Sequence, residues 1–276
     1  MPSDSPFDAY APIEIARRVE AVGLTKARRD WVSTLVLSTL AGAFIALGAL
    51  LFAVVISGST LGLGPTRLLG GLAFSVGLLL VVVGGAELFT GNNLLAMAWA
   101  SKLVTFRQVA RNWAIVYLGN TIGAVATMAL AYVGGVHHLG QDAVRQTLVT
   151  LGAHKSHLDP ISLVALGILC NALVCLAVWM TFAGRSVIDK AVAIVFPIAA
   201  FVAMGAEHSI ANLFFLPYAW ILDPDKVSLG GMVANIGLVT IGNVLGGTLL
   251  VALVYWGAYL RPVRPRPSDD DNSSDD

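Results

Sequence analysis

Gly85-Ala86-Glu87-Leu88-Phe89-Thr90-Gly91-Asn92 is answered, 120 residues later, by Gly205-Ala206-Glu207-His208-Ser209-Ile210-Ala211-Asn212. The Gly-Ala-Glu opening and the closing Asn coincide. Further on, Asn112 and Gly119-Asn120-Thr121-Ile122-Gly123 recur as Asn235 and Gly242-Asn243-Val244-Leu245-Gly246, at an offset of 123. Self-similarity of this kind means two copies of one structural unit. Both octets interrupt apolar stretches with polar residues and glycine. In a membrane chain, matched interruptions point to a binding site where two repeats meet.

The composition around them is that of a membrane protein. The chain is 57% hydrophobic and 12% charged, with mean hydropathy +0.78. Soluble domains carry about twice that charged fraction. No Asp, Glu, Lys or Arg occurs in 31–66, 68–86, 112–141, 160–184 or 227–260. A membrane-crossing helix needs about 20 apolar residues. The runs predict an all-α membrane protein with six transmembrane helices: 31–57, 68–101 (interrupted), 111–135, 160–183, 189–219 (interrupted) and 230–259. With those spans, 13 of the 17 Lys and Arg fall on one side, and Arg67, Arg145, Lys155 and Lys226 on the other. An excess of positive charge marks the cytoplasmic side, which puts both termini there.

Three spans per repeat is an odd number, so the second copy enters the membrane from the opposite face. The repeats are 31–135 and 160–259 within a pore domain of 31–261. Residues 1–30 lack the apolar core of a signal peptide, and an amphipathic cytoplasmic helix is expected there, with Ile15, Val19 and Val22 on one face. Residues 262–276 read as a disordered acidic tail. The connector 136–159 reads as a polar extracytoplasmic loop. Its His137, His138, His154 and His157 fit no compact zinc pattern, so neither a metal nor a cofactor is expected. The spacing of Cys170 and Cys175 does not bring them together on a helix, which predicts packed thiols rather than a disulfide.

Spans two and five are read as broken helices. Irregular backbone at membrane depth must face protein or a watery cavity. Gly91 and Gly205 are expected to supply the unusual torsions, and half-helix ends to offer unpaired N–H groups that suit an anion. Glu87 and Glu207, as repeat mates, are read as structural carboxylates bonded to free N–H groups of the links. His208 has no mate, since Leu88 holds its place, and an asymmetric imidazole in a symmetric frame points to chemistry. Thr90 is its natural hydroxyl partner, and Asn171 and Asn212 add donors. Lys155 stands alone at the mouth of span four, where a cation concentrates anions. Gly119, Gly123, Gly242 and Gly246 are spaced for close helix packing.

At these residues the chain resembles the formate/nitrite transporter family. The matching motifs are the 85–92 octet, Ala153-His154-Lys155, Gly167-Ile168-Leu169-Cys170-Asn171, Trp179-Met180 with Gly184-Arg185-Ser186, Glu207-His208-Ser209-Ile210-Ala211-Asn212 and Gly242-Asn243-Val244-Leu245-Gly246-Gly247. They are spread over 31–261. The resemblance implies a homopentamer in a bacterial inner membrane, with an aquaporin-like protomer and one pore each. It implies substrates that are small monovalent anions of weak acids, formate first, with nitrite or hydrosulfide as the alternative. Carried over residue by residue, His208 is the central pore histidine and Thr90 its partner. Phe74, Leu78 and Leu88 line one constriction with Phe89 beside it, and Phe201, Asn171 and Val174 line the other. Lys155 becomes the vestibule lysine, and the N-terminal helix gates some members as pH falls.

The expected mechanism is proton-coupled passage of the neutral acid at low pH. Burial disfavours the charged form of an acid, so the anion takes a proton from water or from His208 before an apolar ring. Three other classes are weaker. A neutral-solute pore of the water/glycerol kind lacks its paired Asn-Pro-Ala links here. An intramembrane enzyme lacks a nucleophile or metal set. A purely structural scaffold does not explain a buried Glu and His in broken helices.

Overall fold

The computed structural model describes residues 8–262. The acidic tail expected over 262–276 lies, from residue 263 on, outside them. Among the described residues the regular structure is helical, with no strand.

Helix α1 (Pro12–Arg28) has proline in its first turn, and the Glu14 carboxylate accepts the Ala11 N–H at 3.2 Å. Ile15, Val19, Gly23 and Ala27 form its buried stripe, four residues apart as a helix face requires. Asp30 caps α2 (Trp31–Ile56) by accepting the Ser33 N–H at 2.9 Å. Helix α3 (Leu63–Gly84) stops at Gly85, which has φ 76°. A non-helical link, a 3₁₀ turn (Gly91–Leu95) and the short α4 (Ala96–Ala100) follow. Thr105 and Gln108 cap α5 (Phe106–Val133). The second half runs through α6 (Ala143–Ser156), α7 (Pro160–Thr181), α8 (Val187–Ala203), a link ending at His208, and α9 (Ser209–Leu222). Then α10 (Leu229–Leu245) winds into a π-helical stretch (Gly246–Ala252) and on to α11 (Leu253–Tyr259).

Two expectations change. The connector is not merely a polar loop: α6 fills it, because Val144, Leu148, Gly152 and Ser156 make a buried stripe. The torsion expected of Gly91 belongs to Gly85. Gly91 begins the 3₁₀ turn, while Gly85 (φ 76°) and Gly205 (φ 73°) both turn left-handed, a conformation open to glycine. Five helical stretches among the described residues are long and apolar enough to cross a membrane: α2, α3, α5, α7 and α10 through α11. The fifth span, expected to be interrupted, is two shorter helices. At 17 and 14 residues, α8 and α9 reach about 26 and 21 Å, each short of a hydrocarbon layer of about 30 Å.

Helix α1 leads into the start of α2, and α6 into the start of α7. Ser57, at the far end of α2, bonds Thr147 of α6 at 2.9 Å. Hence α1 and α6 lie at opposite ends of α2, and the two halves begin from opposite faces. Within each half the first long helix packs on the last, α2 on α5 and α7 on α10. The fit is backbone to backbone: a Cβ on Gly123 would strike the Thr39 carbonyl, and one on Gly246 the Ile168 carbonyl. Trp31, Leu130, Val133, Ile161 and Phe196 lie exposed on the outside. That surface suits lipid rather than water, and the chain is a multi-pass membrane protein.

Candidate functional site

The two links are built by the same hydrogen bonds. Glu87 N–H donates to the Leu37 carbonyl and Glu207 N–H to the Leu166 carbonyl, both at 3.2 Å. Asn120 Oδ1 receives the Phe89 N–H and Asn243 Oδ1 the Ser209 N–H, both at 2.9 Å. The amide NH₂ of each asparagine reaches back to a link carbonyl: Asn120 to Glu87 at 2.9 Å, Asn243 to Glu207 at 3.0 Å. These N–H groups were expected to face an anion; they are bonded within the protein, because an unmade hydrogen bond in this setting costs several kcal/mol.

The glutamates do not bond link N–H groups either. Glu87 is paired with Arg29, with Lys26 at 3.1 Å, and accepts the Asn92 amide at 2.7 Å. Glu207 is paired with Lys155 at 2.7 Å and accepts Asn212 at 2.6 Å and Asn235 at 3.3 Å. Asn112 donates to the Lys26 carbonyl at 3.3 Å, and Asn235 to the Lys155 carbonyl at 2.9 Å. Lys26 and Lys155 are therefore mates, and so are α1 and α6. Lys155 does not stand alone, as the spacing suggested; the buried carboxylate of Glu207 pairs with its ammonium. The match is asymmetric in one respect. Asn92 Oδ1 accepts Lys26 Nζ at 2.8 Å, whereas Asn212 Oδ1 has no partner among the described residues.

His208 lies at the waist between these knots, 3% exposed. It is the N-cap of α9: its Nδ1 accepts the Ala211 N–H at 3.2 Å. That assigns the proton of the neutral ring to Nε2, which donates to Thr90 Oγ1 at 3.1 Å. The Thr90 carbonyl is held by Asn171 Nδ2 and Cys175 Sγ, each at 3.3 Å. Asn171 also donates to the Asn243 carbonyl at 2.6 Å. It braces the link rather than lining an opening. Cys170 and Cys175 are both buried free thiols.

Phe74 and Phe201 meet edge to face, with centroids 5.6 Å apart, and Phe201 stacks over the His208 ring at 6.1 Å. The three rings form one contiguous set. Leu78, Leu88 and Val174 join them there, with Ile45 and Ile198, and the gap among these side chains has no room for a water molecule. Phe89 points elsewhere, its ring edge-on to Tyr117 at 5.0 Å.

On the α6 face the closure opens into a cavity of about 280 Å³, lined by Arg67, His154, Lys155, Asn212 and the two phenylalanines among others. On the α1 face a pocket of about 30 Å³ lies between the link and α1, bordered by Val19, Val22, Lys26 and Phe182. Sequence reading missed Lys26, Arg29 and Arg67 here. For Lys26 a signal existed: Lys26 and Asp30 are spaced as Lys155 and Asp159, at an offset of 129. Ile45 and Ile198 carried none, being two apolar residues among many.

Residues 13–257 match the family model described as Formate/nitrite transporter. The formate channel FocA of Escherichia coli (strain K12) is 39% identical over 280 residues, covering 95% of this chain and 98% of that protein. Among solved structures, a pentameric formate channel with formate bound superimposes with a TM-score of 0.77 at 36% identity, over 84% of this chain and 98% of the other. A second, an FNT family ion channel, gives 0.82 at 30% identity, over 89% and 98%.

Proposed function

The chain belongs to the formate/nitrite transporter family, and from that we propose that it conducts small monovalent weak-acid anions, formate foremost, as the neutral acid when the outside is acidic. The observation that carries this reading is the imidazole of His208 directly behind a dry Phe74/Phe201 closure. Moving an ion from water into an apolar medium has an idealised cost of order 20 kcal/mol, and several after relaxation. An anion meeting that closure gains most by losing its charge.

In this proposal the proton is relayed. A proton from the cavity water adds to His208 Nδ1 and displaces the Ala211 N–H. The Nε2 proton passes to the anion, which leaves as the neutral acid, and the ring remains as the Nδ1–H tautomer. Thr90, whose hydroxyl both donates and accepts, serves either tautomer. Only the resting one caps α9, so the ring returns to it by releasing the Nδ1 proton to the cavity water and taking one from the same water at Nε2. Lys155, Asn212, Phe74, Leu78, Leu88, Val174 and Phe201 then belong to the path, and Asn171, Phe89, Glu87, Glu207, Gly85 and Gly205 to its frame.

We further propose that α8 and α9 together make one crossing, giving six, and that five copies assemble as in the solved formate channel. The α1 face carries Lys26, Arg28, Arg29, Arg107, Arg111 and Arg185, which supports a cytoplasmic placement in a bacterial inner membrane. Formate ranks before nitrite because the Escherichia coli relative and the superimposed pentamer are formate channels by name. The test is uptake of labelled formate and of nitrite into proteoliposomes, with proton flux followed at one acidic and one neutral pH. Formate entry with matching proton uptake at acid pH is expected. Brisk current carried by chloride, which cannot be neutralised in this way, would overturn the scheme.

A further inference from the structure

The cavity on the α6 face holds two strong cations in different states. Lys155 is engaged by Glu207 at 2.7 Å, with the two side chains 13% and 3% exposed. Arg67, in the second turn of α3, takes part in none of the ion pairs among the described residues. Its one hydrogen bond runs from Nη1 to the Ala203 carbonyl, at 3.5 Å. Ala203 is the last residue of α8, so a bland role exists: a cation at a helix C-terminus satisfies a carbonyl. That role uses one of five guanidinium N–H donors, and at the outer limit of bonding distance. Four remain without an acceptor among the described residues, in a wall of the cavity whose floor is Phe74 and Phe201.

The adjoining backbone makes room for this side chain. Gly205 has φ 73°, and a Cβ on it would come within 2.6 Å of Arg67 Nη1. No such arrangement exists at the mate, Gly85, where a Cβ would meet nothing. On the α1 face the cations Lys26 and Arg29 both belong to Glu87. Of the Lys and Arg side chains that border these two cavities, Arg67 alone takes part in none of the ion pairs among the described residues.

We propose that Arg67 is the receiving residue of an anion subsite in the α6-face cavity, its fork holding a small planar anion, a monocarboxylate such as formate, ahead of the Phe74/Phe201 closure. This rests on the transport reading for its purpose, not for its chemistry. Guanidinium and carboxylate match in a two-pronged, charge-assisted pair, and the carboxylate replaces one long bond to a carbonyl. A guanidinium keeps its charge across the physiological range, so the fork itself stays cationic, beside His154 and the Lys155–Glu207 pair that line the same cavity.

The deciding experiment labels Arg67 with phenylglyoxal in the intact protein in liposomes and follows the modified peptide by mass spectrometry. Millimolar formate is expected to slow labelling of Arg67 several-fold while leaving Arg145, outside this cavity, unchanged. Formate that leaves the Arg67 rate unaltered overturns the subsite, whatever transport shows. Formate that protects Arg67 yet is not carried keeps the subsite and removes the transport reading. In uptake from the α6 face, Arg67→Gln is expected to raise the half-saturating formate concentration roughly tenfold, about one charge-assisted contact, with little change in the limiting rate. Arg67→Lys, which keeps charge but not the fork, should recover part of it. Unchanged half-saturation in Arg67→Gln would overturn the subsite while transport stands.

Discussion

Lys26 and Lys155 occupy the same station in opposite halves: each ammonium lies on the glutamate that opens its half's helix break, Lys26 on Glu87 at 3.1 Å and Lys155 on Glu207 at 2.7 Å. Each also offers its backbone carbonyl to an asparagine of the last long helix of its half. The helices that carry them, α1 and α6, are therefore parts of the repeated unit.

The stations differ in redundancy, and stability should show it. Glu87 has two cations and Glu207 one. Removing one partner of a buried pair costs about 3–5 kcal/mol, so Lys155→Met should lose roughly that much in detergent unfolding. Lys26→Met should lose less, because Arg29 remains. Lys155→Met with Glu207→Gln should recover part of the loss. Equal losses at Lys26 and Lys155 would count against this account.

His208 both caps a helix and offers Nε2 to the closure, and one substitution separates the two. Asparagine is as good an N-cap as exists, so His208→Asn should keep its stability within about 1 kcal/mol. It should lose the acid stimulation of formate uptake. Retention of full proton-coupled uptake in that variant would remove His208 from the relay.

Phe74 and Phe201 keep the waist dry. Phe201→Val should admit water and raise chloride leak, read with a halide-sensitive dye inside liposomes, while Phe201→Ala should add a packing loss of about 3–5 kcal/mol. A variant that folds and stays as tight to chloride as the parent would assign the barrier to other residues.

Acid should act on the helix starts only at extreme pH. The Ser33 N–H holds the Asp30 carboxyl below the usual carboxylate range, and the hydroxyl and N–H of Ser162 do so for Asp159. A carboxyl depressed on folding adds stability above its unfolded value, about 3.9, and loses it as pH falls through the folded value. Both caps are thus intact at pH 5. Asp159→Asn should flatten the fall in melting temperature below about pH 4 and leave it unchanged above. An identical fall in parent and variant would show that the cap is not its source.

The places of the two polar links, the opposed starts of the two halves and the closeness of His208 to Thr90 were legible because polar residues are rare in this chain, so each is a signal. Asn120 and Asn243 were legible as mates for the same reason. What escaped was pairing between residues far apart within one half. Lys155 read as a lone charge because its partner, Glu207, lies 52 residues away and both stand at edges of apolar runs. The stripe Val144, Leu148, Gly152 had helical spacing but sat among histidines and read as a solvated loop. The direction of Phe89, away from the closure, follows from the torsions of the link, which residue types do not determine.

The π-helical stretch Gly246–Ala252 has no counterpart in α5, where the equivalent residues are ordinary helix. One surplus residue advances everything after it by about 100° around the axis. That phase turns Tyr255 flat onto Trp179, with centroids 4.0 Å apart, and lets Trp256 Nε1 reach Ser101 Oγ at 2.9 Å. The duplicated modules have diverged by a rotation, not only by substitution. A chimera built by grafting the end of α5 onto α10 would arrive with its aromatic residues aimed at the wrong neighbours.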